Sequence, residues 1–274
     1  MAERMRLQGR TAVVTGAASG IGRAIAVCLA RKGCHVALAD VNEAGLAETA
    51  DLARTPEVRI SQHRLDVSDK AAVEDFPAQV MAEHPGVDLL FNNAGVALGG
   101  TFEQVSAEDF EWLFNINFWG VVRLSRAFLP LLRKSDDARL VNLSSVFGLV
   151  APPGQVAYAA SKFAVRGFSE GLRHELEGTN VGVTVVHPGG VATSIAASAR
   201  VPTGATAEEV SRRRRSFQKM LRLPAEAAGA IIVRGVENRE SRILVGKDAV
   251  ALAMLARLFP VTYWKLLASR LRGA

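Results

Sequence analysis

Thr11-Ala12-Val13-Val14-Thr15-Gly16-Ala17-Ala18-Ser19-Gly20-Ile21-Gly22 decides how the rest of the chain is read. A short β-rich run opens it, glycine breaks the run, and a helical pattern follows from Ile21 to Arg31. Glycines at this place allow a tight turn and let the backbone come close to a pyrophosphate. The helix start behind them offers free N–H groups and a positive dipole end. The spacing is G-x3-G-x-G, which differs from the G-x-G-x-x-G of the common dinucleotide fingerprint. In strand–turn–helix context the segment reads as a nucleotide site.

Working outward, the same alternation continues nearly to the end. Strands are expected at His35–Ala39, Arg59–Leu65, Val87–Phe91, Arg139–Leu143, Val181–Val186 and Ile243–Val245. Helices are expected at Asn42–Ala53, Ala71–Ala82, around Trp112 to Val122, at Tyr158–Leu176 and at Ala225–Val236. Strict alternation implies parallel strands with crossovers on both faces. The strands are continuous apolar runs, as in a sheet covered on both sides. The fold expected is α/β, a single doubly wound, Rossmann-type domain. Its seven-stranded, mostly parallel sheet carries helices on both faces. Residues 1–247 would form the dinucleotide-binding and catalytic domain, with a lid insertion at about 190–223. Residues 248–274 would form a helical extension.

With 274 residues, 49% apolar and 22% charged, the chain can build a full core. Cys28 and Cys34 stand in no metal or redox spacing and point to a reducing compartment, hence a cytoplasmic protein. No metal site is expected. The start reads as carrying no secretory signal, and no run of 18 uncharged apolar residues occurs. The net charge of +6 is uneven: Arg200–Arg222 holds seven basic and two acidic residues, and Ala251–Ala274 holds four basic residues and no acid. The main body is therefore mildly acidic, and no basic stripe interleaved with stacking groups suggests nucleic acid.

Asp40 ends the second strand, 18 residues past Gly22. A carboxylate there can accept from both ribose hydroxyls and repels a 2′-phosphate. Neither Ser19 nor Val41 is basic, so NAD(H) is preferred over NADP(H). Arg23, in the first helical turn, is the residue that could help a 2′-phosphate. Asp40 could also cap the helix that follows.

Further motifs follow in order: Asp66-Val67, Asn92-Asn93-Ala94-Gly95, Asn117-Phe118-Trp119-Gly120, Ser144-Ser145, Tyr158-Ala159-Ala160-Ser161-Lys162 and Pro188-Gly189. With Thr15–Gly22 as T-G-x3-G-x-G, the set resembles the single-domain short-chain dehydrogenases/reductases over roughly Leu7 to Gly246. The resemblance implies that Gly16, Ser19, Gly20, Ile21 and Gly22 line the dinucleotide. It implies that Asp66 and Val67 contact the adenine, and that Asn92 and Ala94 line the ribose. Pro188, Gly189, Val191 and Thr193 would border the nicotinamide.

Tyr158 and Lys162 are four apart and share a helix face. A free phenol titrates near pH 10, too high for a base at neutral pH. A nearby ammonium favours the phenolate, and the oxidised nicotinamide would add to that effect. Tyr158 could then exchange a proton with an alcohol or alkoxide. Ser145 follows a strand end and can hold the substrate oxygen; Ser144 is also available, and the resemblance selects Ser145. Asn117 sits mid-helix, where Asn is a poor helix former. The resemblance assigns it a proton relay, placing a water near Lys162; a kinked or bulged helix is the other reading, and the two are compatible.

Substrate choice is expected to lie between Gly190 and Leu223. Gly190–Ala199 with Pro202-Thr203-Gly204 reads as a flap, and Ala207–Leu221 as a helix carrying Arg212–Arg215. Four successive arginines point around most of a helix and read as a solvated face or an anion contact. Val96, Leu98, Phe102, Phe147, Leu149 and Val150 suggest an apolar, steroid-, retinoid- or lipid-like alcohol or carbonyl substrate. In the tail, apolar residues stand beside Tyr263, Trp264, Arg257, Lys265, Arg270 and Arg272, with Pro260 dividing two short helices. That mixture suits peripheral contact of 249–274 with the inner face of a membrane, or packing on the body or on a subunit. A homodimer or homotetramer is expected. The rival readings are an NADP(H)-dependent carbonyl reductase of the same fold and a non-catalytic, nucleotide-sensing or membrane-associated binding protein.

Overall fold

In the computed structural model, strands and helices alternate as β1 (Thr11–Thr15), α1 (Gly20–Ala30), β2 (His35–Asp40), α2 (Glu43–Ala53), β3 (Ile60–Arg64), α3 (Lys70–Glu83) and β4 (Leu89–Asn92). Next come α4 (Ala107–Phe114), a π-turn (Asn115–Trp119), α5 (Gly120–Leu132), β5 (Ala138–Leu143), α6 (Val156–Glu175) and β6 (Val181–Pro188). The chain closes with β7 (Val191–Ala192), α7 (Ala207–Gln218), β8 (Leu223–Pro224), α8 (Ala225–Glu237), β9 (Arg242–Val245), α9 (Lys247–Leu258) and α10 (Tyr263–Arg272). The structure describes residues 3–196, 198–202, 204–218 and 220–272. Thr203 and the side chains of Arg212, Arg213, Arg214, Arg270 and Arg272 lie outside the described residues.

The main sheet runs β3-β2-β1-β4-β5-β6-β9, and every neighbouring pair is parallel, not merely most of them. Successive residues of each strand serve opposite layers, because side chains alternate across a strand. Ala12, Val14, Val36 and Leu38 pack with α1 and α8, while Val13, Ala37 and Leu90 pack with Val73 and Phe76 of α3 and Phe128 of α5. The edge strand β3 departs from the continuous apolar pattern: Ser61 and His63 are buried, and Gln62 and Arg64 are exposed. Among the described residues only one of its flanks has a partner strand, and Gln62 and Arg64 meet water.

The strand order reverses at β1, whose neighbours are β2 on one side and β4 on the other. Crossovers leave this point in opposite directions, so a crevice opens beyond the carboxyl ends of β1 and β4. The long helix from Ala107 to Leu132 is interrupted by the π-turn, which holds Asn117 at its centre. One extra residue in a turn redirects a side chain that a regular helix would point elsewhere, and such turns favour functional places.

The insertion after β6 is anchored at both ends. β7 pairs with β8 at its base. Farther out, the Arg200 amide donates to the Ala97 carbonyl, and its guanidinium stacks over Trp112 at 4.4 Å while pairing with Asp109 at 2.9 Å. The helix α7 stops at Gln218, three residues short of the expected end. Arg215 is exposed and donates to Ser211 one turn back. Pro260 separates α9 from α10. Among the described residues no helix is long and apolar enough to cross a membrane.

Candidate active site

A crevice of about 360 Å³ lies over the ends of β1, β4, β5 and β6. Gly16, Ser19, Gly20, Ile21, Asp40 and Ala94 line one part of it; Ser145, Tyr158 and Lys162 the middle; Pro188, Gly189, Val191 and Thr193 the other side. Of the residues singled out above, Gly22, Asp66, Val67, Asn92 and Asn117 do not line it.

Gly22 acts from behind the wall. A Cβ there would stand 2.0 Å from the Gly16 carbonyl oxygen, so only glycine lets α1 meet the end of β1. Gly16 itself has φ +65°, where a side chain would also meet Asn93 and Ala94. No side chain caps α1 at Ser19, which leaves its first amides facing the crevice. Those amides and the helix dipole make a place for an anion.

Asp40 is not the cap of α2; Asn42 is, accepting from the Gly45 amide at 3.1 Å. Asp40 instead accepts from the Ala18 amide at 3.1 Å and the Asn42 amide at 3.0 Å, holding its carboxylate at the crevice edge. Arg23 is tied down elsewhere: its guanidinium donates to Thr49, to the Ala18 and Gly45 carbonyls, and to Glu48. It braces α1 against α2 and lines not the crevice but an adjoining cavity that shares Ser19 and Gly20 with it.

Asn92 and Asn93 divide differently from the expectation. The Asn92 amide group turns into the interior, donating to Ser125 at 3.1 Å and Asn142 at 2.8 Å. Asn93 is the one at the crevice; its Nδ2 donates to the Thr15 and Gly16 carbonyls at 2.9 and 3.1 Å. Asp66 is exposed and accepts from the Ser68 amide at 2.8 Å, while Val67 is buried against Gly120.

Lys162 is buried, and its Nζ donates to the Leu143 carbonyl at 3.0 Å and lies 5.7 Å from the Tyr158 ring centre. Burial lowers its affinity for a proton, to a pKa of about 8. Burial acts oppositely on Tyr158, pushing its phenol up to about 12, with a hydrogen bond from Ser145 pulling the other way. The expected lowering by the neighbouring ammonium is not seen in the protein alone, where burial keeps the phenol neutral. Ser144 and Ser145 both line the crevice, and their hydrogen bonds differ: Ser144 donates to the Lys162 carbonyl at 2.8 Å, while the Ser145 hydroxyl bonds the Tyr158 phenol and accepts from the Phe147 amide at 3.1 Å.

Asn117 is fully buried, accepting from the Val96 amide at 2.8 Å and donating to the Val96 carbonyl at 3.0 Å. A point beside Gly95 lies 3.1 Å from Asn117 Oδ1 and 3.5 Å from Lys162 Nζ. The two groups therefore flank one small space next to the crevice.

Two further residues carried no sequence signal. His187 is buried with its Nδ1 at 2.9 Å from the Ser145 carbonyl, and burial drops its pKa to about 4. Neutral at ordinary pH, it braces the backbone that carries Ser145. Asp248, at the start of α9, accepts from the Gly190 amide at 2.7 Å. A Cβ on Gly189 would stand 2.3 Å from that carboxylate, and one on Gly190 2.0 Å from the Met220 carbonyl. The tail thus grips the turn after β6, a contact that sequence distance hides.

Val146, Phe147, Ile195, Met220, Leu221 and Leu252 make the crevice's apolar wall. Of the six apolar residues named from sequence, only Phe147 is among them. Leu98, Leu149 and Val150 are buried, and Phe102 is 70% exposed.

A glycine-turn crevice holding Ser145, Tyr158 and Lys162 on a parallel sheet defines a class, and the comparisons agree with it. Residues 10–203 match the model for short chain dehydrogenases. The chain belongs to the short-chain dehydrogenase/reductase family of oxidoreductases. It is 42% identical over 265 residues to SadH of Mycobacterium tuberculosis, which carries the name oxidoreductase, covering 96% of this chain and 95% of that one. It is 33% identical over 189 residues to the 3-oxoacyl-[acyl-carrier-protein] reductase FabG of Thermotoga maritima, covering 69% and 77%. A Burkholderia phymatum short chain dehydrogenase/reductase, crystallised with NAD, superposes with TM-score 0.86 at 34% identity, covering 92% and 94%.

The grip of Asp248 gives a test by binding alone. Asp248→Ala is expected to weaken NAD+ binding about tenfold in a fluorescence titration, through loss of one charge-assisted hydrogen bond. Asp248→Asn, which keeps an acceptor oxygen, should restore most of it. Equal affinity in all three proteins would show that the turn holds its shape without the tail.

Proposed function

We propose that this protein transfers a hydride between NAD(H) and the carbon of a secondary alcohol, ketone or aldehyde, with an apolar substrate of steroid-, retinoid- or lipid-like character. One observation carries the reading: Ser145, Tyr158 and Lys162 share a single crevice with the glycine turn and the open end of α1. The residues present suit a dinucleotide. The amides of α1 would hold the pyrophosphate, the Asp40 carboxylate the adenosine ribose, and the Pro188–Val191 segment the nicotinamide end. Support for NAD(H) over NADP(H) comes from Asp40 at the crevice edge and from Arg23, which is committed to α2.

When bound, the dinucleotide supplies the hydride acceptor or donor. The protein's own groups handle the proton and the geometry. The Ser145 hydroxyl holds the substrate oxygen beside the phenol. In reduction, the neutral phenol of Tyr158 gives its proton to the oxygen as the carbon gains hydride. In oxidation, the phenolate takes the hydroxyl proton as hydride leaves the carbon, so that an alcohol becomes a carbonyl. Lys162 sits beside the phenol as a buried cation that steadies the phenolate. Asn117 and Lys162 flank the space through which a water could return the proton. Support for an apolar substrate comes from Phe147, Ile195, Met220, Leu221 and Leu252 along the wall.

A panel of sterols, retinoids, long-chain and small secondary alcohols, followed by NADH absorbance, tests the reaction. Tyr158→Phe is expected to lower kcat by about 10²–10⁴-fold while NAD+ affinity stays within about twofold. Full turnover in that variant would overturn the role of Tyr158; no turnover by the intact protein on any member, with NAD+ bound, would favour a sensing protein. Asp40→Ala should cut the NAD+ to NADP+ preference in kcat/KM about tenfold or more. An unchanged ratio would remove Asp40 from cofactor choice.

A further inference from the structure

The α9–α10 pair has two unlike faces. Inward, Leu252, Ala256 and Tyr263 pack on Val146 and Val150, and the Tyr263 hydroxyl accepts from the Ala151 amide at 3.0 Å. Outward, Val250, Met254 and Leu258 form a stripe at i, i+4 and i+8 along α9, continued by Phe259 and Val261 across the bend. These are not grazing exposures: Met254 is 61%, Leu258 69% and Val261 89% exposed. Apolar residues gathered this way on one hairpin mark a contact surface and are not the scattered exposures of an ordinary exterior.

Charge selects the occupant. Residues 249–274 hold Arg257, Lys265, Arg270 and Arg272 and no carboxylate. Arg257 and Lys265 are exposed beside the apolar stripe. A twofold contact between copies of this face would set the same cations against each other with no carboxylate from the segment between them. An anionic lipid surface satisfies both features, taking the apolar tips at the acyl boundary and the cations at the headgroups. The contact would be peripheral, as no described helix can cross a bilayer.

The face also adjoins the crevice. Leu252, on the inner side of α9, and Met220, half exposed, both line the crevice wall. We infer that the outer face of residues 250–265 docks on an anionic lipid surface and sets the crevice mouth against it, so that apolar substrate enters from the lipid. The entry route rests on the hydride-transfer reading above; the docking does not.

Flotation of the full chain with vesicles separates the two. Vesicles of phosphatidylcholine with about a third phosphatidylglycerol should recover at least tenfold more protein than phosphatidylcholine alone, with the difference falling as salt rises. Leu258→Glu combined with Val261→Glu should lose that recovery about tenfold while its melting curve and NAD+ affinity stay those of the parent. Arg257→Gln with Lys265→Gln should fall between. No preference for the anionic vesicles, or equal recovery of parent and glutamate variant, overturns the docking. So does a parent that binds no vesicles and sediments as a dimer where the glutamate variant sediments as a monomer, which assigns the face to a second copy. Vesicle binding without turnover on any alcohol keeps the docking and removes the hydride-transfer reading.

Discussion

β1 ends at Thr15, and Asn93 claims the carbonyls of Thr15 and of Gly16 just beyond it through one amide group, at 2.9 and 3.1 Å. The Thr15 hydroxyl returns the contact, accepting from the Asn93 and Ala94 amides at 3.1 Å. This clasp joins the loops after β1 and β4 at the point where the strand order reverses. On its other side α1 leans against Gly16 so closely that Gly22 can carry no side chain. Loosening either contact would move the open amides of α1 relative to Tyr158. The wall that carries the glycine turn and the wall that carries Tyr158 both depart from this junction.

On the catalytic wall, burial sets the terms. It holds Tyr158 up to about 12 and Lys162 down to about 8, each disfavouring the charged form. The phenol is thus a proton donor by default. A cation brought close to it favours the phenolate, which is how a buried tyrosine can serve as base in one direction and acid in the other. His187 and Ser144 brace the surrounding backbone by hydrogen bonds to the Ser145 and Lys162 carbonyls, and the Ser145 hydroxyl bonds the phenol. The tail contributes to the same region through Asp248 and Leu252, outside residues 10–203 that match the family model.

Much of this was legible in the residues. Alternating strand and helix patterns gave all seven main strands, because local apolar runs and glycine punctuation are written in adjacent positions. The glycine turn, Tyr158 and Lys162 were legible for the same reason, as each stands at a strand end or on one helix face, whereas the choice of Ser145 over Ser144 came from the family resemblance. What failed to show was whatever depends on direction or on distant partners. Asn92 and Asn93 are adjacent, and only the sheet decides which one turns inward. Asp248 lies 58 residues from the amide it accepts. Leu98, Leu149 and Val150 follow strand ends as a crevice residue should, yet burial claimed them for the core. Tyr263 reads in sequence as an interfacial aromatic, but its ring packs inward and its hydroxyl is taken by Ala151.

The central claim is that Tyr158 carries the proton and that its ionisation depends on the charge beside it. The protein has only two tyrosines, Tyr158 and Tyr263, so Tyr263→Phe leaves a single phenol to follow. Its ultraviolet phenolate absorbance, titrated to about pH 10, reads that group directly. The account predicts no phenolate in the protein alone and clear phenolate by pH 10 with saturating NAD+. A phenol that stays neutral to pH 10 in both cases would contradict it.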